Sequence, residues 1–496
     1  ALAGLSAKWK GRKTVLGWRS IVVRRRATME PCRDVTRTFQ LSLSRKAAAS
    51  IFYGINYVPH KAITMGLRTI LDAKRIILIA WGEEKAYVVK ELVEGERQLL
   101  VPATCLQEHQ NMVVVDEGAA SQLTRIRTPW LVGRCLWPKR FIRTAVLWLC
   151  EQVDKPILKL TYQDYVDNRL GQLLEISGMA YDEINIQVFN DLQHTITGWP
   201  GGKPNADDST RPERAQPFPK RVLIFSPHPD DDVISMGGTF RRLITQGHDV
   251  HVAYETSGNI AVHDDVVLQT IDTARECGFK DKYDEVKRII AGKRKGEPEP
   301  LELRKLKGSS RRAEAKAACR HMGLNDRTNV HFLNLPFYET GGVKKGLLTD
   351  RDISIVVDLL RKIQPHQIYA AGDLSDPHGT HRTCIEAVLE AMHVVKDEPW
   401  VKDCRFWLYR GAWQEWDLDM VDMAVPLSPD EVVQKRHAIY RHLSQKDVMP
   451  FPGEDKREFW QRAEERTQNT ARMYDKLGMA EYQAIEVFVR LDLFKL

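Results

Sequence analysis

No apolar segment of the chain is long enough to cross a bilayer: residues 75–81 have the length of a strand, and residues 145–150 are shorter than a span requires. No long apolar stretch follows the opening Ala1-Leu2-Ala3-Gly4-Leu5-Ser6, so no signal peptide is read there and a cytoplasmic location is expected. Cysteine is sparse. Eight residues, at positions 32, 105, 135, 150, 277, 319, 384 and 404, stand singly without a C-x-x-C, which argues against a disulfide framework and against a cysteine zinc site. Also missing are G-x-x-x-x-G-K-[ST], G-x-S-x-G and H-E-x-x-H, so nucleotide-binding and serine-hydrolase readings are without their usual support. Charge of one sign is in short supply too, at +7 over 496 residues. Positive residues cluster at Arg24-Arg25-Arg26 and between Lys287 and Arg312, but without interleaved aromatics. They read as solvated loops, and nucleic acid is not an expected partner.

What is present is a soluble, globular composition, 43% hydrophobic and 28% charged, with enough length for two or more domains. The most informative stretch is Ser226-Pro227-His228-Pro229-Asp230-Asp231-Asp232. An apolar strand, 221–225, leads into it and a helix start, 233–240, leads out, which is where open α/β sheets present reactive side chains. Three adjacent carboxylates repel one another and need a cation or hydrogen-bond donors close by. A second crest, Gly372-Asp373-Leu374-Ser375-Asp376-Pro377-His378-Gly379-Thr380-His381, follows another apolar strand, 367–370. Together the two segments offer two imidazoles and a carboxylate to one divalent ion, leaving a fourth position for water as in an open hydrolytic zinc site. His248 and His251 have H-x-x-H spacing as well, but the first falls in a turn and the second enters a strand, so both read as structural. Cys384, three residues beyond His381, reads as a buried thiol near the pocket.

The Pro-His-Pro-Asp-Asp-Asp run resembles the PHPDD[ED] signature of the LmbE/PIG-L zinc-dependent N-deacetylases, and Pro377-His378-Gly379-Thr380-His381 resembles their second, H-x-x-H signature. Residues 311–323 are similar to the family's R-x-x-E-x-x-x-A helix, and residues 435–445 to its K-x-x-A-x-x-x-H-x-S-Q element, so the likeness covers roughly residues 218–490. The resemblance implies one Zn2+ held by His228, Asp231 and His381, with Asp230 as general base and His378 as the group that stabilises the oxyanion. It also implies that Arg311 turns inward to a substrate, and Asn259, at the end of the next strand, is a further candidate for the pocket lining. Asp232 stands where the family usually has Glu, which puts the role of that position in doubt.

Residues 62–75, 81–86, 102–109 and 113–117 resemble the closing βα units of glucosamine-6-phosphate deaminases. The resemblance implies that Lys85 contacts a sugar phosphate, with a solvated helix-start lysine as the alternative. The D-G-H-x-x-x-N/E segment that carries the deaminase acid and base does not occur. The chain opens on Ala and enters this region partway, so the expectation is a truncated domain without deaminase activity. Residues 13–40 match nothing and have no clean periodicity.

The expected fold is α/β, with two Rossmann-like domains, parallel-rich sheets and a helical C-terminal segment. Residues 1–149 form the deaminase-like domain, 150–217 a helical connector and Gly/Pro-rich linker, and 218–496 the deacetylase-like domain. The expected function is metal-dependent removal of an N-acetyl group from a small amino sugar of GlcNAc type. The alternatives are a deaminase/isomerase whose catalytic segment is missing, and a non-catalytic sugar-phosphate-binding module; self-association is left open.

Overall fold

Residues 37–40, 61–64, 66–98, 101–109, 111–278, 283–293, 298–341, 345–372, 379–411, 414–446 and 457–492 are described by the structure, a computed structural model. Outside the described residues fall His378 with the rest of 373–378, the Arg24-Arg25-Arg26 cluster, most of 13–40, and part of the second basic run, 294–297. The chain divides into two compact units, 1–128 with 451–455 and 492–496, and 129–450 with 456–491.

In the first unit, β1 (Arg37–Gln40) pairs antiparallel with β2 (Lys61–Thr64), and β3 (Ile76–Ala80) pairs parallel with β4 (Asn111–Val115). A parallel pair needs a crossover, and the helix Ala86–Glu94 supplies it, burying Ala86, Val89 and Leu92 at helical spacing. Asp116 ties the crests together. Its carboxylate accepts the Gly82 N–H at 3.0 and 3.1 Å and the Ala119 N–H at 2.8 Å.

The second unit is built on a seven-stranded sheet: β5 (Arg221–Ser226), β6 (Asp249–Tyr254), β7 (Val330–Phe332), β8 (Gln367–Ala371), β9 (Arg405–Tyr409), β10 (Met423–Leu427) and β11 (Ala484–Leu491). Their spatial order is β10-β11-β9-β8-β5-β6-β7, with β5 to β9 mutually parallel and β11 antiparallel to both neighbours. From β5 the chain moves outward through β6 and β7, then returns to lay β8 on the other side of β5. The carboxyl ends of β5 and β8 therefore bound a topological switch point, the place where open α/β sheets bind ligands. β5 and β8 are near-continuous apolar runs because helices cover both sheet faces.

Ser428 caps the helix Pro429–Ile439 through a capping box with Glu431. That helix and Phe459–Lys476 are the helices expected near the C-terminus, but the chain then returns as β11, between β9 and β10. The return strand carries Glu486, only 1% exposed. Glu486 accepts from Lys435 Nζ at 2.7 Å, the Gly238 N–H at 3.1 Å, and the Thr239 N–H and hydroxyl at 2.7 and 2.6 Å. Four donors thus fasten the helix Asp231–Thr245 to the sheet and to the helix Pro429–Ile439. Gly238 permits this approach, since a Cβ there would lie 2.5 Å from the Leu427 side chain. The helices Lys139–Val153 and Tyr181–Gln193 belong to a second apolar cluster of this unit, built with Tyr474, Ile485 and Val487. No described helix is long and apolar enough to cross a membrane.

At the start of β5 the backbone N–H groups of Lys220 and Arg221 donate to Nδ1 of His248 and His366, at 3.1 and 3.0 Å. Burial first, then nearby cations, pushes both imidazoles from the usual 6.5 down to about 4. The unfolded chain takes up these protons near pH 6.5 and the folded chain only near 4, so stability falls as pH drops through that window. Titration of the His248 and His366 rings by NMR is expected to give midpoints well below the usual 6.5. Midpoints at the usual value would contradict the assignment. Replacing one partner of the buried ion pair, Lys435→Met, leaves the Glu486 charge uncompensated and is expected to lower stability by about 3 kcal/mol, measured by urea unfolding.

Candidate metal centre

The crest after β5 is shaped by its own short-range bonds. Ser226 Oγ donates to the His228 carbonyl at 2.6 Å and accepts the Asp232 N–H at 3.1 Å, and the His228 N–H donates to Asp231 Oδ2 at 2.8 Å. Thr256, beyond β6, donates its hydroxyl to the Pro227 carbonyl at 2.7 Å and braces the crest from the side. Asp231 and Asp232 open the helix Asp231–Thr245, where the unpaired N–H groups favour negative charge. His381 occupies the second position of the helix Thr380–Val395, which follows β8 through Gly379 in the left-handed conformation, φ 69°.

The two crests bring His228, Asp231 and His381 together. One ligand atom from each lies within 4.8 Å of the others. His228 Nδ1 and His381 Nε2 stand 3.2 and 3.3 Å from Asp231 Oδ2, and the two nitrogens are 3.3 Å apart. Ligands about 2.0–2.1 Å from a tetrahedral ion are separated by roughly 3.3–3.4 Å, so the donor set and its spacing fit a divalent metal. Burial works against the Asp231 charge, yet His381 and His228 together hold its carboxyl well below the usual range.

The other two carboxylates have different surroundings. Asp230 is buried beside the trio and meets Arg311 Nη2 at 3.2 Å. Burial pushes its carboxyl up, Arg311 pulls it down, and Asp231 adds to the upward shift, which wins. Its backbone sits at φ 157° and ψ −22°, a conformation retained only where neighbours over-determine it. Asp232 faces the core. Tyr254 OH donates to it at 3.0 Å, Ser226 Oγ lies 3.3 Å from its other oxygen, and burial raises it to about 7. The third acidic position thus buttresses the crest from below.

Asn259 is buried, but its amide nitrogen donates to Ser257 Oγ at 2.8 Å and Glu339 Oε2 at 3.0 Å, so it braces the loop that carries Gly258. Arg311 lies across that glycine, where a Cβ would come within 2.9 Å of its Nε. Lys85 is half-buried in the first unit, at the turn Glu83–Lys85. His251 pairs with His331, 3.1 Å between ring nitrogens, on β6 and β7. Two residues without a role in the sequence reading also stand here. Glu255, at the end of β6, is fully enclosed, raised to about 8 by burial and drawn back by His381, with the Cys384 thiol as a hydrogen-bond partner. His442, visible in sequence only as part of the 435–445 element, lines the cavity that contains Asp230. Their strand-end and turn positions were readable; their facing toward the trio was not.

A family profile described as PIG-L, GlcNAc-PI de-N-acetylase, matches residues 223–392. A glucosamine-6-phosphate deaminase-like protein of Bacteroides thetaiotaomicron is 52% identical over 478 residues, 93% of this chain and 72% of that protein. The glucosamine-6-phosphate deaminase of Shewanella halifaxensis is 51% identical over 77 residues, and the matched stretch spans 15% of this chain and only 29% of that enzyme. Among solved structures, N,N'-diacetylchitobiose deacetylase from Pyrococcus horikoshii aligns with a TM-score of 0.36 at 20% identity, over 55% of this chain and 85% of that one. Sharing half its residues with a relative along nearly its whole length, the chain belongs to the family of glucosamine-6-phosphate deaminase-like proteins in which a PIG-L domain follows a deaminase-like region.

Proposed function

We propose that the second unit is a zinc-dependent N-deacetylase that removes an acetyl group from an amino sugar of GlcNAc type. The observation that carries this reading is the meeting of His228, Asp231 and His381 at the switch point, beside a separate buried carboxylate, Asp230, already tied to Arg311. The matching profile is described as a de-N-acetylase and the N-terminal relatives are named for glucosamine 6-phosphate, which supports the same substrate class.

Zinc, when held by the trio, supplies Lewis acidity toward the amide carbonyl and toward water. Asp230 accepts the proton of the attacking water; burial raises its basicity, and Arg311 keeps it ionised and oriented. His378, assigned from the resemblance, stabilises the oxyanion of the tetrahedral intermediate. Asp230 or His378 then hands a proton to the departing amine, so the products are acetate and the free amino sugar. Arg311 and Asn259 are the proposed substrate contacts of this pocket. In the first unit Lys85 is the proposed sugar-phosphate contact, and no catalytic role is proposed there because the D-G-H-x-x-x-N/E segment does not occur.

Metal analysis is expected to find one zinc per chain, and a chelator is expected to abolish acetate release from GlcNAc derivatives, with zinc restoring it. A zinc-loaded chain that releases no acetate from any of them would remove the reading. Asp230→Asn is expected to lower kcat by about 10²–10⁴-fold while one metal ion per chain is retained, because the substitution removes a proton acceptor and not a ligand. Unchanged turnover in that variant would show that another group takes the proton.

A further inference from the structure

The turn that follows the helix Pro429–Ile439 holds a histidine whose ring has no hydrogen-bond partner among the described residues. His442 is 2% exposed, and neither Nδ1 nor Nε2 has a hydrogen-bond partner among the described residues, although its backbone is fully engaged: its N–H donates to the Ile439 carbonyl and its carbonyl accepts the Gln445 N–H, both at 3.0 Å. A buried polar group left unpaired costs about 1–3 kcal/mol, so such a group calls for an explanation. The ring lines a cavity together with Asp230, Tyr440, Gln445, Phe459 and Trp460. Arg311, on the other side of Asp230, is also fully enclosed and has two unpaired donors, Nε and Nη1.

This arrangement is held in place from outside. Ser444 donates both its N–H and its hydroxyl to Glu314, at 2.7 Å each, and Gln445 Nε2 donates to the Ala261 carbonyl at 3.1 Å. Glu314 lies one helical turn beyond Arg311, so the 435–445 element and the Arg311 helix are physically coupled. Burial and the neighbouring Arg311 cation press the imidazole down to about 3, so it is neutral. A neutral imidazole has one donor and one acceptor, and the group that complements both is a hydroxyl. Lys446 and Glu458 also line the cavity, and Arg311 lies beside Asp230 and Glu314, so its cations are matched by carboxylates and there is no cationic excess to favour phosphate.

We propose that His442 is a substrate-binding residue of the deacetylase pocket, exchanging hydrogen bonds with a hydroxyl of the sugar while Arg311 donates to a neighbouring oxygen. This inference rests on the amino-sugar reading above and names a residue to which that reading gives no role.

The test uses the zinc-loaded full chain, with N-acetylglucosamine and glucosamine as probes, followed by calorimetry, acetate release and thermal unfolding. His442→Leu is expected to weaken the binding of both sugars about tenfold, the loss of about one net hydrogen bond, with kcat within threefold of the parent. Its melting temperature is expected to stay level or rise, because an unpaired buried polar ring is replaced by an apolar one. His442→Asn, which keeps a donor and an acceptor, is expected to recover part of the affinity, and it carries the comparison should the Leu variant fail to fold. Unchanged affinity in variants that fold, or a lowered melting temperature with unchanged affinity, would overturn the proposal while leaving the deacetylase reading intact. A parent chain that neither binds these sugars nor releases acetate would instead bring down the amino-sugar reading, and the His442 assignment with it.

Discussion

Three consecutive carboxylates, all buried, cannot share one charge state, and the crest after β5 exists because each finds a different partner. Asp231 is flanked by two imidazoles and stays ionised. Asp230 faces Arg311 and is pulled between burial and that cation. Asp232 turns into the core, where Tyr254 and Ser226 meet it and burial favours its protonated form. Three chemically identical neighbours thereby acquire three different electrostatic surroundings.

The rest of the second unit serves to hold those partners still. The sheet sets the crests of β5 and β8 side by side because its strand order reverses between them. The helix that carries Asp231 is fastened at Gly238 and Thr239 by Glu486, which arrives from the far end of the sequence and is itself neutralised by Lys435. Burying such a pair adds little net stability, but breaking it leaves an isolated charge, so its main effect is to make one placement of the helix far better than any other. Lys435 and His442 belong to one short sequence element yet do different things: the first is consumed by the fold, and the second is left with a ring unpaired among the described residues, in the Asp230 cavity.

The crest residues were legible because their chemistry is local. A histidine and three aspartates between an apolar run and a helix start announce a charge problem whatever the rest of the chain does, and the H-x-x-H after a second apolar run supplies the counterpart. Asn259 was read as a candidate for the pocket lining; its amide nitrogen is engaged by Ser257 and by Glu339, the latter a pairing across 80 positions that no local pattern contains. Glu255 and the His442 ring were invisible as neighbours of the trio for the same reason. β11 was missed because an apolar run after two helices resembles any other edge element until its partners are known.

By itself the sequence determined which side chains could bind a metal, that they stand at strand ends, and that two unlike α/β regions are joined in one chain, since periodicity and local charge crowding are properties of neighbours along the backbone. Tertiary structure alone decided which aspartate faces the imidazoles, which faces Arg311 and which faces the core, and where Glu486 closes the sheet. Those outcomes depend on burial and on partners far away in sequence, and the free energy of a buried charge is set by what surrounds it in space.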